Sequence, residues 1–155
     1  MAEHSYGLVV YRRVGAELEV LIGHMGGQHW ANKDEHAWSI PKGAADPSED
    51  PIAAARREFG EELGFAAPSG ALIDLGSITQ RGGKVVCAWA VEGDPALADF
   101  RPGQFSMQWP PRSGRLQTFP EVDRVKWVSL DQARTLLVAA QATFLDRLAI
   151  ALAAG

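Results

Sequence analysis

Three carboxylates at helical spacing, Glu58, Glu61 and Glu62, are where potential chemistry is most concentrated in this chain. They stand at i, i+3 and i+4, so an α-helix would set all three on one face. Like charges placed this way destabilise a helix by about a few tenths of a kcal/mol per pair. A hard divalent cation such as Mg²⁺ would remove that repulsion, because such ions take several oxygen ligands. The acids lie within residues 43–65, GAADPSEDPIAAARREFGEELGF, with Arg57 beside Glu58, Glu49 upstream, and Gly43 and Gly64 near the two ends.

The helix that must carry them is well delimited. Asp50 is a good N-cap and Pro51 is pre-organised for the first helical position. Ala53, Ala54 and Ala55 are strong helix formers, and Gly64 follows Leu63 where a left-handed cap belongs. Ile52, Ala55, Phe59 and Leu63 recur at spacings of three and four and make a buried stripe, with the acids off it. Gly60 is the anomaly, since glycine costs about 1 kcal/mol in a helix interior relative to alanine. A close backbone approach by another element would explain it.

The whole stretch resembles the signature of the Nudix hydrolases. The fixed positions of that pattern read here as Gly43, Glu49, Arg57, Glu58, Phe59, Glu61, Glu62, Gly64 and Phe65, and none departs from it. The resemblance implies a Nudix-type α/β/α sandwich with a mixed β-sheet, as a single domain over residues 1–155. It implies metal-dependent cleavage of a diphosphate bond in a nucleoside diphosphate linked to another moiety. The ligands of Mg²⁺ or Mn²⁺, more than one ion per site, would be Glu58, Glu61, Glu62 and the carbonyl of Gly43. Arg57 would orient a catalytic Glu through a charge-assisted pair, with Glu49 supporting it. Family members often add an acid from a loop before a Trp-bearing strand. Glu121 and Asp123 precede Trp127 by six and four residues, and Glu121, after Phe119-Pro120, is preferred as extra ligand or general base. A Nudix domain kept as a ligand-binding or regulatory module is the competing class.

On the substrate side, Trp38-Ser39-Ile40-Pro41-Lys42-Gly43 resembles the approach to the motif in hydrolases of diadenosine polyphosphates and diphosphoinositol phosphates. Lys42 would hold a phosphate as a point charge. Trp30, His29 and His36 in the polar loop 25–37 offer surfaces on which a base could stack. Arg112 and Arg115 could contact a distal phosphate. Together these favour a dinucleoside polyphosphate or a related nucleotide derivative over a small sugar diphosphate, with a nucleoside triphosphate or ADP-ribose as the alternative substrates. His24, His29 and His36 make no zinc pattern, since no cysteine stands near them.

Composition bears on the partner, which the resemblance implies is a nucleotide-type small molecule. The 155 residues are 46% hydrophobic and 22% charged, with a net charge of −4, which argues against a general nucleic-acid binder. An anionic substrate then needs cations between it and the acids. The lone Cys87, between Val86 and Ala88, is expected as a buried strand thiol. The start MAEHSYG has no basic stretch followed by an apolar run, and no apolar run is long enough to cross a membrane, so a cytoplasmic location is expected.

Strands are expected over 5–12 and 17–23 around Val14-Gly15-Ala16, over 38–40, over 72–80 and 84–91 around Arg81-Gly82-Gly83, and over 105–109 and 124–128. Residues 92–103 and 110–120 are expected as loops. A short helix over 131–137 and an amphipathic one over 142–153 complete the order. Strands and helices mix without a regular βαβ rhythm, which points to a mixed sheet.

Overall fold

The computed structural model describes residues 3–154. Two long strands, β1 (His4–Val14) and β2 (Glu17–Met25), pair antiparallel through the turn at Gly15. Short strands β3 (Trp38–Ser39) and β4 (Lys42–Gly43) lead into helix α1 (Pro51–Leu63). Strands β5 (Leu72–Thr79) and β6 (Val85–Glu92) form the next hairpin, and β6 lies parallel to β1. Strand β9 (Val122–Ser129) pairs with β2, completing a seven-stranded mixed sheet ordered β3-β2-β1-β6-β5, with β4 on β1 and β9 on β2. Strands β7 (Gln104–Gln108) and β8 (Leu116–Pro120) form a separate antiparallel pair. Helices α2 (Leu130–Leu136) and α3 (Ala142–Ala154) follow β9.

Period-two alternation in the two central strands builds a core on each face. Val9, Tyr11, Val20 and Ile22 point into one cluster with Phe144, Leu145 and Leu148 of α3. Leu8, Val10 and Leu21 point the other way, against Ala55, Phe59 and Leu63 of α1. Helices thus cover both faces of a mixed sheet, the α/β/α sandwich. Within the first cluster Gln141 is fully buried and completely partnered. Its Oε1 accepts from the Ile40 N–H at 3.0 Å, and its Nε2 donates to Ser39 Oγ and Gln80 Oε1, both at 3.0 Å. That amide fixes the segment leading to Lys42.

Two expectations are corrected. Leu116–Pro120 is a strand, although residues 110–120 read as a loop, because the Pro and Gly content of residues 110–114 masks the Thr and Phe of a strand that pairs only with β7. And no element approaches Gly60: a Cβ there would meet nothing nearer than the Phe65 carbonyl oxygen at 3.9 Å. The close approach instead falls on Gly103, whose Cβ would lie 2.7 Å from the Glu61 carbonyl oxygen. Gly60→Ala should therefore raise stability by about 0.5–1 kcal/mol through helix propensity and loss of unfolded-state freedom. Urea unfolding checks this, and a lower midpoint would contradict it.

Candidate active site

Helix α1 starts where its caps dictate. Asp50 accepts from the Ala53 N–H at 3.1 Å, Pro51 follows, and Gly64 closes the helix at φ 81° with its N–H on the Gly60 carbonyl. With Phe59 and Leu63 buried, Glu58, Glu61 and Glu62 emerge along one side of the helix. Glu58 and Glu62 are half-buried and Glu61 is exposed.

Arg57 organises the cluster. Its Nε and Nη2 donate to the two oxygens of Glu49, each at 2.9 Å. Nη1 donates to Glu58 at 3.0 Å and to Glu61 at 3.1 Å, and Nη2 also donates to the Ala44 carbonyl at 2.9 Å. These hydrogen bonds hold the Glu49 carboxyl down to about 2 and raise Arg57 itself. The Asp46 N–H adds a bond to Glu49 at 2.9 Å. Gly43 is required where it stands: a Cβ would lie 2.1 Å from a Glu58 carboxylate oxygen. Its backbone and that carboxylate therefore share one small space.

The remaining acids face a cleft. Glu62 and Glu121 line a cavity of about 270 Å³ with Lys42, Trp30, Phe105 and Ile40. Glu62 accepts the Lys42 backbone N–H at 3.1 Å. Burial nevertheless pushes the Glu62 carboxyl up to about 8, outweighing the pull of Lys42, and Glu121 and Glu58 add repulsion. Burial also raises Glu58 and Glu121, with the other carboxylates contributing. Burial lowers the Lys42 ammonium, and Lys84 adds to that.

Glu121 is placed by β9. A bulge between His24 and Met25 of β2 breaks the β2–β9 register opposite Asp123, and the Glu121 carbonyl accepts the Gly26 N–H at 2.9 Å. Gly26 admits that crossing because a Cβ would sit 1.9 Å from the Pro120 carbonyl oxygen. Asp123, by contrast, turns onto His24.

A second cavity of about 310 Å³ shares Met25, Trp30, Ser39 and Lys42 with the first and continues to Gln80, Arg81 and Lys84. The combined cleft is acidic at one end and cationic at the other. Arg81 and Lys84 were not singled out from sequence. Their signal was a cation on either side of the Gly82-Gly83 turn. Arg112 and Arg115 lie exposed in the turn between β7 and β8 and line neither cavity. Trp30 both lines the cleft and packs on the core. His29 is exposed and meets Trp109 edge-on at 6.5 Å. His36 turns away, its Nδ1 donating to the Leu137 carbonyl at 2.8 Å. Cys87 is half-buried, and burial raises its thiol.

Among the described residues no three of these side chains already converge as metal ligands. Arg57 holds Glu58 and Glu61 to one side, and Glu62 is on the Lys42 N–H. The donor set still fits a hard divalent cation. It is all oxygen, and Glu58, Glu62 and Glu121 are raised by burial and by neighbouring carboxylates, which a cation would reverse.

Comparison with known proteins gives consistent relatives. A family model for the NUDIX domain matches residues 3–148. A bis(5'-nucleosyl)-tetraphosphatase (asymmetrical) from Caenorhabditis elegans is 39% identical over 62 residues, 40% of this chain. That match spans only 41% of the relative's length. In structure, a C. elegans Ap4A hydrolase binary complex superposes with a TM-score of 0.69 at 22% identity, over 97% of this chain and 99% of that one. The NUDIX domain of Shewanella oneidensis NrtR, complexed with ADP ribose, superposes at 0.65 and 15% identity, over 98% of this chain and 89% of that one. At these identities the superpositions show a shared fold.

The raised Glu62 carboxyl has a measurable consequence. A carboxyl lifted in the folded state contributes stability below its unfolded pKa that is lost as pH rises through the folded value. Chelator-treated protein should therefore lose stability relative to Glu62→Gln as pH climbs from about 5 to about 8. Parallel melting curves for the two proteins across that range would contradict it.

Proposed function

The chain belongs to the Nudix hydrolase family, and on that premise we propose that it is a metal-dependent pyrophosphohydrolase acting on dinucleoside polyphosphates. The observation that carries the proposal is the two-ended cleft, with Glu62 and Glu121 at one end and Lys42, Arg81 and Lys84 towards the other. The partial match to the C. elegans tetraphosphatase supports the same substrate class.

Glu58, Glu61, Glu62 and the Gly43 carbonyl would hold Mg²⁺ or Mn²⁺, more than one ion, and the metal would supply acidified water and stabilise charge on the phosphoryl oxygens. Arg57 holds Glu58 and Glu61 in reserve on one guanidinium, and Glu49 fixes that guanidinium by a bidentate pair. Glu121, which lines the cleft from the junction between β8 and β9, takes the proton of the attacking water. Lys42 bears on the phosphate next to the scissile bond as a point charge, and Arg81 and Lys84 bear on phosphates beyond it. Trp30 and Phe105 give the cleft aromatic walls for a base.

Turnover of diadenosine tetraphosphate should be abolished by excess EDTA and restored by Mg²⁺ or Mn²⁺, and activity surviving chelation would refute the metal requirement. Glu62→Gln should lower kcat by orders of magnitude while the protein stays folded. The value of kcat/KM should rise from ADP-ribose to diadenosine tetraphosphate. Lys42→Ala should cost about 1–3 kcal/mol of transition-state stabilisation, more on the longer substrate. A clear preference for ADP-ribose or a nucleoside triphosphate, or a neutral Lys42→Ala, would overturn the substrate assignment. Tight nucleotide binding with no turnover of any panel member would instead favour a regulatory module.

A further inference from the structure

His24 is a buried polar residue that the proposed chemistry does not use. It is fully buried at the end of β2, edge-on to the Trp38 ring at 5.1 Å. Its Nε2 lies 2.6 Å from the Lys33 carbonyl oxygen and its Nδ1 lies 2.9 Å from Asp123 Oδ1. A carbonyl oxygen only accepts, so Nε2 carries a hydrogen and donates it. A carboxylate oxygen faces Nδ1, so the second contact is a hydrogen bond only with a proton between ring and carboxylate. The ring thus bridges two elements.

Both ends of that bridge matter to the cleft. Lys33 sits in the middle of the 26–37 loop, its N–H bonded to the Trp30 carbonyl at 3.0 Å and its ammonium 5.4 Å from the Trp30 ring centre. Asp123 sits at the β9 bulge, two residues after Glu121. The base of the loop is closed separately by Met25 N–H on the Ala37 carbonyl and by His36 N–H on the Thr135 carbonyl. Its middle is tied to the sheet by the His24 bond and by Trp38 Nε1–H on Asp34 at 2.8 Å. Asp123 is flanked by Val122 and Arg124, which both pair with β2, and Arg124 Nε also lies 3.4 Å from the same oxygen. When the bridge breaks, the loop is the side that is freed.

We propose that His24 and Asp123 are positioning residues that clamp the Trp30 loop against the sheet, so that the aromatic wall of the cleft stands ready for the base of the substrate. This rests on the nucleotide reading for its effect on catalysis, but the clamp itself is independent of it. His24→Phe keeps the shape of the ring and removes both bonds. Asp123→Ala leaves the ring without its orienting partner. Asp123→Asn preserves the geometry, because its amide N–H can donate to Nδ1 of a neutral ring while Nε2–H stays on Lys33.

Hydrogen exchange by mass spectrometry on the full chain without substrate tests the clamp. Peptides spanning residues 28–36 should exchange at least about tenfold faster in His24→Phe and Asp123→Ala, with β1 and α1 unchanged and Asp123→Asn close to wild type. In the same variants KM for diadenosine tetraphosphate should rise by about tenfold while kcat stays within about threefold, again with Asp123→Asn spared. Unchanged exchange in the loop, or equal acceleration throughout the chain, overturns the proposal. So does a fall in kcat at constant KM, which would place the effect on the reacting groups. If the wild-type protein hydrolyses no dinucleoside polyphosphate, the substrate reading fails while the exchange comparison still decides the clamp.

Discussion

All five N–H donors of one guanidinium, that of Arg57, are engaged: two on Glu49, one each on Glu58 and Glu61, and one on the Ala44 carbonyl. The rest of the site depends on this. Three acids on one helix face repel one another, and two of them lie half-buried where that repulsion is less screened. Arg57 makes the arrangement foldable by pairing with Glu58 and Glu61 while leaving Glu62 to the cleft. It also ties the loop before α1 to the helix, so the Gly43 carbonyl region and the acids move as one unit. A lysine could not substitute, because its ammonium lacks the planar fork that engages Glu49 with two bonds and still reaches three other acceptors.

Backbone proximity is the second constraint. Gly43 lies against the Glu58 carboxylate and Gly26 against the Pro120 carbonyl, at distances no side chain permits. The first brings the short strand β4 onto α1. The second brings the segment carrying Glu121 across the end of β2. Together they make a narrow cleft from three pieces of chain that are distant in sequence. Electrostatics follows from that narrowness: burial is the largest cause of the upward shift at each of Glu58, Glu62 and Glu121.

Much of this was legible in the residues. The helix boundaries followed from Asp50, Pro51 and Gly64, and the acid face from fixed spacing, because these are local rules. The two central strands followed from their alternation. The cationic end of the cleft was not legible. Two hairpin turns carry paired cations, Arg81 with Lys84 and Arg112 with Arg115, and nothing local says which turn meets the cleft. The answer lies in register. Strand β1 pairs with β4 at Tyr6 and Gly7 and with β6 from His4↔Val85, so the turn before β6 arrives at the end of the sheet where Lys42 stands. Parallel pairing of this kind is long-range and leaves no local trace. The same holds for Leu116–Pro120, whose pairing with β7 is visible only in the folded chain.

The charge pattern of the cleft bears on how an acidic chain could manage a polyphosphate. A net charge of −4 disfavours the approach of a polyanion at long range, but at physiological ionic strength charges are screened beyond about 8 Å. Within that distance what counts is the local sequence of charges, here carboxylates, then Lys42, then Arg81 and Lys84. On the proposed reading, a short diphosphate placed at the acidic end would reach Lys42 and little else. A longer chain would extend into the second cavity, towards Arg81 and Lys84. Length selectivity of this kind needs no contact with the base at all. Trp30 lines both cavities, so on the proposed reading it would add a preference for an aromatic group.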